Sequence, residues 1–438
     1  MSSVVSLKNQ ASSEHWLASR RSRARAAWNP ALLPTRKTES WRYTRLSAME
    51  ENGFFSAPVY SAQPVAADAD IPRLDDEHCL RLVFVNGQLD TAQSDLDAMN
   101  EIKGLSVCVF SAASQAQSAF IDARLGTLVK LGHHPFSVLN EAQLQDGLLI
   151  HIEKNADVQP IIQLVYTTTA SDMAFTIVPR VLVALDSGSR ATVLEHYLSE
   201  STTQSVFVNA VTECFVAENA HLHHYRLHTE HESVYHIGGA HIELARNATV
   251  NSFHFALGSQ LKRIDLVVHH RGEGAHAQIN GIYLPSGSEH VDYHTCIEHA
   301  VPNGTSNEVF RGIVGDRARA VFNGRIHIHK HAQKTSAQLS NKNLLTSDKA
   351  EIDTKPELEI YADDVQCAHG ATVAQLDVSS MHYLRSRGIS AVDAEVLLSF
   401  GFINELIDGI KHEAIALFLR DLVRDKFTRE SSLVSHQS

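Results

Sequence analysis

Cys367 and His369 stand two residues apart in the segment DDVQCAHGATV, Asp363 to Val373. On a strand that spacing sends both side chains to one face. A thiolate and an imidazole together suit iron, zinc or copper. Each residue also has an ordinary reading. A lone cysteine serves well as a small buried hydrophobe, and a histidine beside Gly370 at a coil corner serves as a hydrogen-bonding structural residue. Spacing alone leaves both readings open.

Histidine is abundant, 27 in all, with 14 between His221 and His299. In RIHIHKH (Arg325 to His331), His327, His329 and His331 alternate with Ile326 and Ile328. Such neighbours lie about 6.6 Å apart along one strand face. HLHHYRLH (His221 to His228) is similar. No acidic or thiolate group sits at ligand spacing within either segment, so solvated polar strand faces are expected. Asp363-Asp364 is an acidic pair, yet adjacent residues on a strand point to opposite faces and do not share a site.

Standard catalytic motifs are missing. No GxxxxGK[ST] loop cradles phosphate, and there is no GxSxG elbow or HExxH. The five cysteines, Cys79, Cys108, Cys214, Cys296 and Cys367, are odd in number and form no CxxC. That pattern opposes a disulfide framework, a zinc ribbon and a self-contained cluster site, and it fits a reducing compartment.

Three regions position these residues: 1–145, mixed helix and strand; 146–377, strands; and 378–438, helices. In the first, Ser13 to Ala31 has helical composition with a basic cluster at Arg20, Arg21, Arg23 and Arg25. No apolar stretch or small-residue cleavage pattern accompanies it, so a basic amphipathic helix is expected rather than a targeting segment. LPTRKTESWRYT (Leu33 to Thr44) reads as a polar connector, and RLVFVNGQLD (Arg81 to Asp90) as a strand stopped at Asn86-Gly87.

In the middle region a polar or Gly-containing turn is followed by Ala, one residue, and a mostly apolar one. The signature recurs at Ala156, Ala191, Ala220, Ala248, Ala275, Ala318, Ala350 and Ala371, with intervals of 29, 28 and 27 residues from Ala191 to Ala275. A coil-sized period with period-2 strands predicts a β-helix, a small residue fitting each tight corner. A β-sandwich is the structural alternative. From Ser390 the pattern turns helical. Ser390 and Asp393 form a capping box, and Val392, Val396, Phe400, Ile403, Ile407 and Ile410 make one stripe. Gly409 permits a break before a second stripe of Ile415, Phe418, Leu419 and Leu422. Two such helices either cap the solenoid's open end or dock a partner.

Net charge is -12 from 38 basic and 50 acidic residues, which disfavours nucleic acid and anionic membrane surfaces. No apolar run approaches the ~20 residues of a membrane span. A cytoplasmic protein is expected.

Several segments resemble one family closely: Leu33 to Thr44, DRARAVFNGRI (Asp316 to Ile326), AQLSNKNLL (Ala337 to Leu345), AEIDTKPELEIYADDVQCAHGATV (Ala350 to Val373) and YLRSRGI (Tyr383 to Ile389). They look like the SufD family of the SUF iron–sulfur cluster assembly system, most densely between residues 315 and 390. The resemblance implies a mainly β chain, a right-handed parallel β-helix flanked by N-terminal and C-terminal helical regions. It implies a non-catalytic scaffold within a SufBCD complex, paired with SufB through exposed strand edges and bound to the ABC-type ATPase SufC through its C-terminal helices. Phe400, Ile403 and Ile407 are then docking candidates. It also implies a transient iron–sulfur cluster shared with SufB, which supplies a thiolate. His369 is the ligand expected from this chain, with Cys367 in a supporting role. No tightly bound cofactor is expected in the isolated chain, and a homodimer is the alternative assembly. Two competing functions are a β-helix enzyme with paired carboxylates and a self-sufficient metal scaffold built on the histidine strands.

Overall fold

A residue in the left-handed region opens each coil on one side of the molecule. Asn155, Gly188, Asn219, Asn247, Gly274, Asn303 and Lys334 all have positive φ and recur 27 to 33 residues apart. Asparagine and glycine tolerate that conformation at least cost. The small residue that follows fits under the chain turn: Ser189, Ala220, Ala248 and Ala275 are fully buried. At Gly304 an added Cβ would crowd the His299 ring. The computed structural model of the protein describes residues 16–29, 33–51, 53–54, 74, 79–129 and 135–435.

The chain folds into a parallel β-helix with two sheets. The first runs, neighbour to neighbour, Gln88–Asp90, Cys79–Val85, Asp157–Thr168, Arg190–Ser199, His221–His228, Thr249–Leu257, His276–Leu284, Thr305–Val314, Ser336–Leu345 and Gln366–Gln375. The second ends with Val234–Leu244, Leu261–His270, His290–His299, Arg319–Ile328 and Glu351–Ile360. Pairing is parallel and in register from coil to coil, which stacks like residues. Tyr166 lies flat on Tyr197 at 5.0 Å, and Tyr197 on His228 at 5.1 Å. The apolar core fills the space between the sheets.

The recurring-alanine period has the correct coil size, but its register is corrected. Ala191 is already the second residue of its strand, Ala318 and Ala350 mark the opposite corner, and Ala371 sits inside the strand Gln366–Gln375 rather than at a turn. Residue 145 is also a soft boundary. The strand Cys79–Val85 pairs with Asp157–Thr168, and Leu105–Val109 pairs antiparallel with Leu148–Ile152. The N-terminal region therefore closes one end of the stack with antiparallel strands, which hides its edges.

The predicted basic helix spans Ala18–Ala27, and residues 13–15 and 30–31 of that stretch lie outside the described residues. Its arginines hold the fold together. Arg20 pairs with Asp122 at 2.6 Å and Glu141 at 3.2 Å, and Arg25 donates to the Ala142 carbonyl. The connector Leu33 to Thr44 is strapped onto the second sheet: Trp41 is buried with the Arg263 guanidinium 4.5 Å from its ring centroid.

Helices Ala391–Asp408 and Glu413–Ser435 do not cap the open end. They lie across the outward face of the first sheet, where Ile403, Ile407, Ile415 and Leu419 pack on Tyr225, Leu227, Phe253, Phe255 and Ile282. Ser390 accepts from the Asp393 backbone amide at 3.1 Å, so the predicted N-cap forms, but the Asp393 carboxylate accepts from the Ser390 hydroxyl instead of completing a capping box. The end of the stack beyond Glu351–Ile360 and Gln366–Gln375 stays open, with no further strand paired to either among the described residues.

Candidate functional site

Register carries one line of positions through the first sheet to that open end. Ile279, Glu308, Leu339 and His369 are successive neighbours, and Ala277, Ser306, Ala337 and Cys367 form the adjacent line. Ile279, Glu308, Leu339, Ala277, Ser306 and Ala337 are buried, facing the space between the sheets. Cys367 and His369 therefore share the inward face of the last strand, as their spacing predicts. Because no coil covers that strand, His369 is exposed and Cys367 half-buried. A side chain added at Gly370 would meet only open space, and Gly370 lies within the strand rather than at a corner. Burial pushes the Cys367 thiol up, so it ionises less readily than a free cysteine.

The rest of the last coil shares this openness. Among the described residues, the large apolar side chains left exposed are Met173 and then a group beyond the fourth-last strand: Ile360, Tyr361, Val373, Val378, Tyr383, Leu397 and Leu417. A ten-residue edge strand leaves roughly ten backbone groups directed away from its neighbour. Free edges of this length are normally blunted by charge, proline or a covering element.

Other sequence-predicted positions fall elsewhere. Ile403 and Ile407 are both 0% exposed within the helix-to-sheet packing, so they are not available to a partner and the docking assignment to them is corrected. The stripe was apolar because it covers this protein's own sheet. Phe400 is half-buried at the edge of the same cluster. Asp363 and Asp364 are exposed on a bend, not on a strand.

The two histidine segments differ: His327, His329 and His331 are partly exposed on the outward face as expected, whereas His221 to His228 is not a solvated face. His224 and His228 are fully buried between the sheets, while Tyr225 and Leu227 on the outward side are covered by the C-terminal helices. Acidic partners come from other coils, which segment-by-segment reading cannot see: Glu195 bonds His224 at 2.8 Å, and Glu298 bonds His329 at 2.7 Å. His331 lies past the strand end.

Glu308, two coils below His369, is fully buried, and its carboxyl oxygens make no hydrogen bond of normal geometry. Burial pushes it up to about 7, the Thr295 hydroxyl offsetting little. Its folded form keeps a proton that the unfolded chain releases near pH 4.5, so stability falls as pH rises from there to about 7. The full cost is about 3 kcal/mol. Glu308→Gln is expected to melt higher than the parent at pH 8, with the gap shrinking below ~1 kcal/mol at pH 5; equal melting curves at pH 8 contradict a protonated Glu308.

Comparison with known proteins bears on this geometry. Residues 165–402 match the family model described as "SUF system FeS cluster assembly, SufBD core domain", and residues 6–164 match "SufBD protein N-terminal region". The chain is similar to the iron-sulfur cluster assembly protein SufD of Escherichia coli, 35% identical over 87% of this chain and 86% of that one. A SufBD family protein of Synechocystis is 31% identical over 89% of this chain and 87% of the relative. SufD of Bacillus subtilis is 24% identical, with 88% of each chain covered.

Proposed function

The chain belongs to the SufBD family of iron–sulfur cluster assembly proteins, and on that premise we propose that it is a non-catalytic scaffold whose open terminal coil forms one half of an assembly seam. The observation that carries this reading is the exposed inward position of His369 on an uncovered edge strand. A SufB-like partner adds its own strand edge there and brings a cysteine thiolate. The cluster is cargo. Thiolate anchors iron firmly, whereas a neutral imidazole from His369 is the weaker ligand and permits later release. The chain works in the cytoplasm and supplies geometry rather than turnover.

The second half of the proposal concerns an ABC-type ATPase of the SufC kind. The C-terminal helices bind their own sheet with one face, so docking falls to the opposite face, where Leu397 and Leu417 are 53% and 49% exposed. Nucleotide-driven closure of an ATPase pair would pull on these helices, which are packed directly on the coils leading to His369. Leu397→Asp with Leu417→Asp is expected to remove the ATPase from a co-expressed, tag-purified complex while leaving the melting temperature within a few degrees. Retention of the ATPase contradicts this surface. The buried Ile407→Asp is the contrasting control, because an unpaired charge in that packing unseats the helix.

The same free edge also suits two copies of this chain pairing in the absence of a partner. Co-expression with a SufB-like chain, followed by pull-down and mass determination, tests the seam. A stable one-to-one complex that excludes the homodimer supports it.

A further inference from the structure

The strand ends of the second sheet carry residues that the seam does not use. Register places Glu243, His269, Glu298, His327 and Glu359 side by side on five successive strands. Acid and imidazole thus alternate at the ~4.8 Å strand spacing on the outward face. At the centre, one Glu298 oxygen meets His269 Nδ1 and the other meets His329 Nε2 at 2.7 Å. The His327 ring lies parallel to the His329 ring with centroids 4.4 Å apart.

One donor atom each from Glu298, His327 and His329 falls within a set whose members are all within 4.8 Å of one another. Their side chains are 19%, 24% and 40% exposed, so an ion reaches them directly from solvent. The ion-pair role explains Glu298 and His329 but leaves His327 over, since its partner Glu359 is 3.8 Å away, past hydrogen-bond length. Donors on a tetrahedral metal at about 2.1 Å sit about 3.4 Å apart. His329 lies one residue past the strand Arg319–Ile328, and its side chain is 40% exposed, which leaves it room to close that gap.

A second group, His228, Glu230 and His236, has similar spacing but a different environment. It is fully enclosed, and Lys262 Nζ stands 3.1 Å from Glu230. The buried ammonium fills the cation's place, so this group is a neutralised part of the core, whereas the Arg271 guanidinium 3.4 Å from Glu298 is 46% exposed and free to turn into solvent.

We propose that Glu298, His327 and His329 form a surface site for one divalent ion of the zinc and ferrous-iron class. Two imidazoles and one carboxylate select such borderline metals over magnesium or calcium. The site is separate from His369 and holds whether or not the seam reading does.

The test uses the untagged full-length chain, stripped with a chelator and titrated with Co2+ and then Zn2+ at pH 7.5. One Co2+ per chain is expected, with visible d–d bands that Zn2+ abolishes. Glu298→Gln and His329→Gln are each expected to weaken Zn2+ binding at least about tenfold, and His382→Gln, an exposed histidine on the helix Val378–Ser386, to leave it unchanged. His329→Gln, near the surface past a strand end, keeps the comparison decisive if Glu298→Gln folds poorly. The proposal is overturned by the absence of saturable binding. It is equally overturned by Zn2+ affinity that His329→Gln leaves intact.

Discussion

Replacing His369 by alanine is expected to cut the cluster carried by the co-expressed complex by about tenfold or more, with no loss of the complex itself. The size of the effect follows from position. His369 is exposed on the inward face of the last strand, so it contributes little to this chain's own packing, and its removal leaves no cavity. The melting temperature and the elution volume of the complex should therefore match the parent. Visible absorbance of the purified complex and iron and sulfide content read the loss. Cys367→Ser should cost much less, since its half-buried thiol packs against the core instead of standing free. Parental cluster content in His369→Ala refutes the ligand role outright.

The largest stability effect is expected inside the solenoid, at Glu195. Its carboxylate is fully buried and accepts from Tyr197 at 2.6 Å, Thr212 at 2.7 Å and His224 at 2.8 Å, with Arg226 at 3.6 Å. Arg226 is equally buried and donates to the Tyr197 hydroxyl at 3.0 Å. Burial alone would raise the Glu195 carboxyl, but the Arg226 charge and the bonds from His224 and Tyr197 outweigh it and hold the group far below the usual carboxylate range. Glu195→Ala strands a guanidinium in the core and should cost roughly 3–5 kcal/mol at pH 7. The double variant Glu195→Leu/Arg226→Met should cost less than Glu195→Ala, because desolvation of both charges is then avoided. A depressed folded-state carboxyl stabilises above pH 4.5 and loses that contribution as pH falls below it, so the parent's advantage over Glu195→Ala should shrink in acid. Chemical denaturation at pH 7 and pH 4 measures both. A double variant as unstable as the sum of the singles contradicts the ion-pair account.

The coil period, the helical C-terminus with its Ser390 cap, and the shared face of Cys367 and His369 were all legible in the chain because each rests on local spacing. The corner alanines were read two residues out of register at Ala191, since the determinant is the left-handed residue before the corner, here Gly188. Contacts between coils were not legible. Glu298 is 31 residues from His329 and bonds it directly, so a strand that looks solvated by its own alternation is paired across the sheet. The same blindness affected Ile403 and Ile407. An apolar helical stripe reads identically whether it meets a partner or its own sheet, and here the outward side chains of Tyr225 and Phe255 claim it. That His369 stands uncovered depended on where the stacking of strands ends, a property of the whole solenoid.

The central claim is that the strand Gln366–Gln375, paired only with Ser336–Leu345, keeps one free edge in the isolated chain and becomes an inner strand in the assembled complex. Hydrogen–deuterium exchange across residues 366–375, compared between the isolated chain and its complex with a SufB-like partner, reads this directly. Roughly half of those backbone amides should exchange quickly in the isolated chain and become protected on assembly. Identical exchange in the two states would place the partner elsewhere and leave His369 facing only water.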